Sequence, residues 1–402
     1  MRGAEAVLAC LREQDVDTVF GYPGGMILPL YDALYGQTEI RQILVTHEQN
    51  AAHAADGYAR ATGRVGVCIA TSGPGATNLV TGIATAYMDS IPMVAITGQV
   101  DLEMLGRDAF QETDILDVTM PVTKHNYKIK NAADLVPTIR EAFALARSGR
   151  PGPVLIDVPR NLFLEEVAYT EQKREEHQPG KPDADFIICA AEAATEIVNA
   201  ERPLVIVGGG VISAWASAET VAFIEKYQLP VVHTLMGMGA VPSTHPQMLG
   251  FIGMHGAKAA NYAVGAADLV IALGSRFADR LTGNLSKFTA NRRFIHIDID
   301  PAEIDKIVGS SIGLAGDMRV VLNLLMRKEP KRDHTAWWQQ IHTWQEKFED
   351  DYHVNSLTVP WALHQVARRT AGKPYAYVTD VGQHQMWAAL HLHVEEPRTW
   401  LT

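Results

Sequence analysis

The chain has 402 residues, 47% of them hydrophobic and 20% charged, which suits a globular protein of two or three domains. Its formal net charge of −11 argues against a nucleic-acid partner, which needs a basic face, but leaves room for small anions held by local amides and a few arginines. Cys10, Cys68 and Cys189 are too few and too scattered for a disulfide framework or a thiolate metal site, and no apolar run approaches the roughly 20 residues a bilayer crossing requires. A reducing, cytoplasmic setting without a membrane partner is therefore expected. The opening MRGAEAVLACLREQDVD reads as an amphipathic helix and not as a signal peptide.

From residue 2 to about 160, helical periods alternate with short β-rich runs at Val16 to Phe20, Ile40 to Thr46, Val65 to Thr71, Met93 to Thr97 and Val154 to Val158. Gly/Pro turns follow most of these runs, so the pattern predicts βα units on a parallel sheet. The charged stretch EQKREEHQPGKPDA, 171–184, carries two Gly/Pro breaks and reads as a linker. A second α/β unit opens with PLVIVGGGVISAWASAE, and further strands are expected at Asp268 to Leu273 and Arg293 to Ile299. The Trp-bearing helical segment from Arg327 to Asp351 reads as a second connector. A third βα pattern begins at AYVTDVGQHQMWAA, Ala376 to Ala389. The expected fold class is α/β: one domain over 1–165, a second Rossmann-like domain over 185–330, and the start of a third over 355–402.

Three features of the first domain fall where strands end, the edge at which open α/β sheets bind ligands. Glu48 follows the second strand and opens an Ala-rich helix. FGYPGGM, Phe20 to Met26, ends the first strand with paired glycines, and Ser72-Gly73-Pro74-Gly75 ends the third. Alone, Glu48 is an acid placed where the helix dipole favours one. Zinc does not suit it, because His47, Glu48 and His53 lack the HExxH spacing.

The stretch VTHEQNAAHAADGYARATGRVGVCIATSGPGATN resembles the pyrimidine-binding domain of thiamine diphosphate enzymes, most closely the acetolactate synthase family. The resemblance implies that Glu48 hydrogen-bonds a ring nitrogen of the cofactor's aminopyrimidine and favours its imino form. It implies cofactor contacts for Gly24, Pro74 and Asn78, and a substrate channel lined by Gly25, Phe110, Gln111 and Lys124. The lesser alternative for Lys124 is a solvated surface charge. Met26 stands where many members carry Ala, which would narrow the pocket.

In the second domain, MHGAKAAN, LGSRFADR and HIDIDPAEID resemble the FAD segments of the same family. A Gly274-Ser275 turn can pass a pyrophosphate and Arg276 can pair with it. The resemblance adds Asp298, Asp317, His255 and Arg150 as flavin contacts, and Arg280 as a substrate-side arginine. Gln383 and His384 match residues beside the diphosphate. The GDG motif that would bring Mg²⁺ is absent from the sequence, so the metal ligands are expected outside this chain, which reads as ending early in the diphosphate-binding domain and inactive alone.

The implied activity is decarboxylation of pyruvate and its condensation with a second 2-keto acid, pyruvate or 2-oxobutyrate, early in branched-chain amino-acid synthesis. A homodimer or homotetramer and a small regulatory subunit are the implied partners. The rivals are another thiamine diphosphate decarboxylase or carboligase, and a non-catalytic FAD-binding protein of two domains.

Overall fold

The computed structural model describes residues 1–173, 180–348 and 357–402. It forms two compact units, Met1–Gln178 and Pro179–Thr402, which divide inside the expected linker. Residues 174–179 of that linker, and 349–351 of the expected connector, lie outside the described residues.

Among the described residues the first unit has one six-stranded sheet. Its strands are β1 (Thr18–Gly21), β2 (Arg41–Leu44), β3 (Gly66–Ala70), β4 (Met93–Gln99), β5 (His125–Lys128) and β6 (Pro153–Pro159). All pairings are parallel, in the order β2-β1-β3-β4-β6-β5. β3, β4 and β6 are buried along their whole length, which is why they read as unbroken apolar runs. β5, with the sequence HNYK, is a half-exposed edge strand that its polar composition conceals. The helices Gly3–Glu13 and Leu135–Arg147 cover one face of the sheet, while Glu48–Thr62 and Val80–Met88 cover the other. The last two approach so closely that a Cβ on Gly82 would stand 2.4 Å from that of Ala52.

The second unit carries β7 (Pro203–Val207), β8 (Val231–His233), β9 (Met248–Phe251), β10 (Leu269–Leu273), β11 (Arg293–Asp298) and β12 (Ile312–Ala315). They are parallel in the order β12-β11-β10-β7-β8-β9, the doubly wound arrangement of dinucleotide-binding sheets. The short strands β8, β9 and β12 are additions to the sequence reading. The expected connector is corrected in part: the helix Thr335–Phe348 buries Trp337 and Ile341 on one face of this sheet, and the Trp337 indole donates to the Pro203 carbonyl at 3.0 Å.

The closing segment is a small parallel pair, β13 (Tyr377–Val378) and β14 (Trp400–Leu401), with the helices Val359–Thr370 and Gln383–His391. Leu392, Val394 and Trp400 share a core with Met238 and Phe251, and the Ser243 hydroxyl exchanges hydrogen bonds with the main chain of Val394. Among the described residues no helix is long and apolar enough to cross a membrane.

Candidate functional site

Chain order reverses between β1 and β3, so the loops that leave these neighbours diverge and open a crevice at the carboxyl edge of the sheet. Both loops fold over Thr71. Its hydroxyl accepts the Met26 amide at 3.2 Å, and its methyl lies 2.5 Å from a Cβ built on Gly24 and 2.7 Å from one built on Gly75. Any side chain at those two positions would clash, so only glycine lets the loops meet. Gly25 differs: it is exposed, and a Cβ there would touch nothing within 4 Å. Met26 is half-buried, its backbone lying against Gly98.

Glu48 begins the helix Glu48–Thr62, where His47 acts as the cap and its Nδ1 accepts the Gln49 amide at 3.1 Å. Glu48 is only 9% exposed, yet among the described residues its hydrogen bonds include no cationic partner. One oxygen, Oε2, accepts from Asn78 Nδ2 at 2.9 Å. The other, Oε1, lies 3.3 Å from the place a Gly75 Cβ would take. Glu48, Asn78, Gly24 and Gly75 therefore line one cradle, with Gly25 and Pro74 at its exposed rim. Two buried hydroxyls have no hydrogen-bond partner among the described residues: Ser72 Oγ, and Tyr31 OH, which lies within electrostatic reach of Glu48 and is raised above the usual phenol range by burial. Sequence reasoning passed over both, because an unpaired hydroxyl is visible only once the turn is folded.

The loop Gly106 to Asp114 closes on itself through Glu112, whose carboxylate accepts the Gly106 amide at 2.5 Å and the Ala109 amide at 3.0 Å. These amides hold its carboxyl below the usual range. Gln111, at φ 59°, packs its backbone against Gly73, where a Cβ would stand 2.7 Å from the Gln111 carbonyl oxygen. Gln111 is thus brought to the Ser72–Gly75 turn, while Phe110 stands 80% exposed beside it. Beneath, Gln99 Nε2 donates to both the Thr113 carbonyl and the buried Asp157 carboxylate, each at 3.0 Å. Burial pushes Asp157 up to about 6 despite the Thr97 and Gln99 donors. Arg160, directly after β6, stands half-exposed at the same carboxyl edge and was not singled out from sequence.

Lys124 is a correction. It precedes β5 and its amide donates to Pro153 at the start of β6, so it occupies the amino edge of the sheet, opposite Glu48. Its Nζ donates to the carbonyls of Leu145 and Ser148, each at 2.6 Å, and so caps the helix Leu135–Arg147. Arg150 lies at that same amino edge, with Nε donating to Ser90 Oγ at 2.7 Å.

In the second unit, chain order reverses between β7 and β10. Here two turns cross backbone on backbone. A Cβ on Gly208 would stand 2.1 Å from the Gly274 oxygen, and one on Gly274, at φ 58°, would stand 2.5 Å from the Gly210 Cα. The Gly210 amide donates to the Gly274 carbonyl at 3.1 Å. Ser275 is buried and Arg276 half-buried next to this crossing. Asp298, at the end of β11, is buried; its Oδ1 accepts the Asp300 amide and burial raises its pKa. Asp317 caps the helix Met318–Leu325, accepting from the Arg319 and Val320 amides at 3.0 and 3.1 Å. The Arg280 carbonyl accepts the Met254 amide, which brings the exposed His255 loop and the exposed Arg280 together at this edge. Gln383 and His384 are exposed in the first turn of the helix Gln383–His391, after β13.

The first cradle fits a flat heteroaromatic ring: a buried carboxylate oxygen faces glycine backbone that any Cβ would fill. The second fits a dinucleotide pyrophosphate, since the Gly208/Gly274 crossing admits no side chain. Magnesium fits neither: among the described residues no group of three or more His, Cys, Asp or Glu side chains could hold a metal ion.

Residues 1–118 match the thiamine pyrophosphate enzyme N-terminal TPP binding domain, and residues 190–325 match the thiamine pyrophosphate enzyme central domain. The whole chain aligns at 44% identity with 72% of the acetolactate synthase isozyme 3 large subunit of Escherichia coli. It belongs to the acetolactate synthase large-subunit family. The large subunits of Parasynechococcus marenigrum and Corynebacterium glutamicum are each 46% identical over all of this chain, which covers 66% and 65% of their lengths. The chain thus spans about two thirds of the length of these curated relatives. Within the family, the Glu48 cradle lies in the N-terminal TPP binding domain and the Gly208/Gly274 crossing in the central domain.

Proposed function

We propose that this chain carries part of the acetolactate synthase reaction, in which pyruvate loses CO₂ and is joined to a second 2-keto acid. The observation that carries the reading is Glu48, a buried carboxylate with one oxygen tied to Asn78 and the other facing a glycine cradle. Thiamine diphosphate, when bound, supplies the ylid chemistry that stabilises a carbanion. Glu48 holds the proton at a ring nitrogen of the bound aminopyrimidine, with Asn78 fixing the carboxylate in place. Gly24 and Pro74 shape the ring's seat, and Gly25 lies on the substrate side. Gln111 and Phe110 face the substrate side, and Arg280 orients a keto-acid carboxylate. Gln383 and His384, at a helix N-terminus, suit the diphosphate end.

FAD belongs to the same reading, seated across Gly274, Ser275 and Arg276 of the second unit, with Asp298, Asp317 and His255 as its further contacts. The exposed apolar side chains Leu28, Leu44, Met88 and Met120 of the first unit support a second copy as partner. The relatives' designation as large subunits supports a smaller regulatory subunit.

The test is acetolactate formation from pyruvate by the native protein, with and without thiamine diphosphate. Glu48→Gln is expected to lower turnover by roughly 10²–10⁴-fold while the fold is retained. Turnover that is independent of Glu48 would remove the reading. Bound flavin without any turnover would favour the non-catalytic alternative.

A further inference from the structure

His296 lies on β11, one strand away from the crossing of glycine turns, and is 1% exposed. Its Nε2 is 3.0 Å from the Ser275 carbonyl oxygen. A carbonyl can only accept, so Nε2 carries the hydrogen and the neutral ring leaves Nδ1 as a bare lone pair. Nδ1 is buried and has no hydrogen-bond partner among the described residues. Burial also lowers the pKa of the ring, in keeping with a neutral imidazole.

The ring grips the turn at a second point. Phe277, a buried non-glycine residue at φ 52°, sets its ring edge-on to His296 with centroids 5.0 Å apart. Arg276 is therefore fixed on both sides, by the carbonyl before it and the ring after it. Upstream, the Gly274 carbonyl is already taken by the Gly210 amide. The Gly274 amide in turn donates to the Ile297 carbonyl at 2.8 Å, so both main-chain groups of Gly274 and the Ser275 carbonyl are held by protein partners and the shape of the turn is fixed from β11.

We propose that His296 is a positioning residue for the phosphate-binding turn of the second unit: its Nε2–H holds the Ser275 carbonyl inward so that the Gly274-Ser275-Arg276 turn receives a dinucleotide pyrophosphate. The proposal rests on the flavin reading of this unit. His296 touches no phosphate itself; it acts through Ser275.

The test uses the full chain titrated with FAD, followed by flavin fluorescence, for wild type, H296Q and H296N. The Gln amide N–H reaches the place of Nε2, whereas that of Asn reaches only the place of Nδ1. H296Q is expected to bind within about threefold of wild type and H296N about tenfold more weakly, the size of one hydrogen bond. Without FAD the two variants should melt together. Equal loss or no loss in both variants overturns the positioning role and leaves the flavin reading standing. A wild-type chain that binds no FAD overturns both. Independently of any variant, ¹⁵N shifts of the labelled His296 ring should show the Nε2–H form, and an Nδ1–H ring overturns the proposal.

Discussion

The two sheets solve the same geometric problem with different chemistry. In the first unit the loops at the point of chain reversal meet over a side chain, Thr71, and leave a buried carboxylate and two unpaired hydroxyls around the gap. In the second the turns meet backbone to backbone, glycine against glycine. A gap walled by side-chain oxygen can hold and move a proton. One walled by main chain can only bind charge and shape. The difference predicts that added volume is refused at both edges, while a change of side-chain charge is felt most at the first.

The largest expected effect tests the first half of that prediction. Gly274→Ala combines φ 58° with a 2.5 Å approach to the Gly210 backbone, so it should destabilise the second unit by about 3 kcal/mol. Calorimetry should show that transition moving while the first unit's stays in place. Gly25→Ala is the control: it meets nothing, so stability should change by less than about 0.5 kcal/mol while the KM for the keto acid rises.

Asp157 sharpens the charge side. Its folded pKa, about 6, stands above the usual carboxylate value because of burial, so the folded state binds a proton more tightly than the unfolded one. Its contribution is fully present below about pH 4 and is lost as pH rises through about 6, a change of about 3 kcal/mol. Urea titrations across that window should show the slope, and Asp157→Asn should abolish it.

Lys124→Met comes next. It takes the lysine donor from the Ser148 carbonyl, while the Leu145 carbonyl keeps the Ser148 amide and hydroxyl, and should cost about 1 kcal/mol of first-unit stability. Cofactor affinity should not follow it, because Lys124 stands at the opposite edge from Glu48. A large loss of thiamine diphosphate binding would return Lys124 to the site. The smallest effect is at Glu112, whose replacement by Ala should speed amide exchange across 106–111 and leave the melting temperature unchanged.

These residues also mark how far the sequence could be read. β3, β4 and β6 were legible because burial on both faces forces a continuous apolar run. β5 was not, since an edge strand of His, Asn, Tyr and Lys carries no such signal. That omission misplaced Lys124: with no strand recognised after it, nothing indicated which end of the sheet it occupies. Glu48 was legible because a strand end, a helix start and a glycine turn converge on it in the sequence. Ser72, Tyr31 and His296 were hidden, since what distinguishes each is a missing or long-range partner that exists only after folding. The resemblance offers Asp317 as a flavin contact, but nothing in the sequence showed that its Oδ1 also caps the following helix.

The oxygens around Lys124 have a consequence for its chemistry. An amine whose protons are all directed at carbonyls and a hydroxyl, and whose stem lies along Gly152, offers no lone pair to an acylating reagent. Exposed lysines such as Lys130 should be labelled within the first pulse, and Lys124 only when the helix Leu135–Arg147 lifts from the sheet. The ratio of the two labels is then a clock for the opening of the first unit, readable by mass without any ligand.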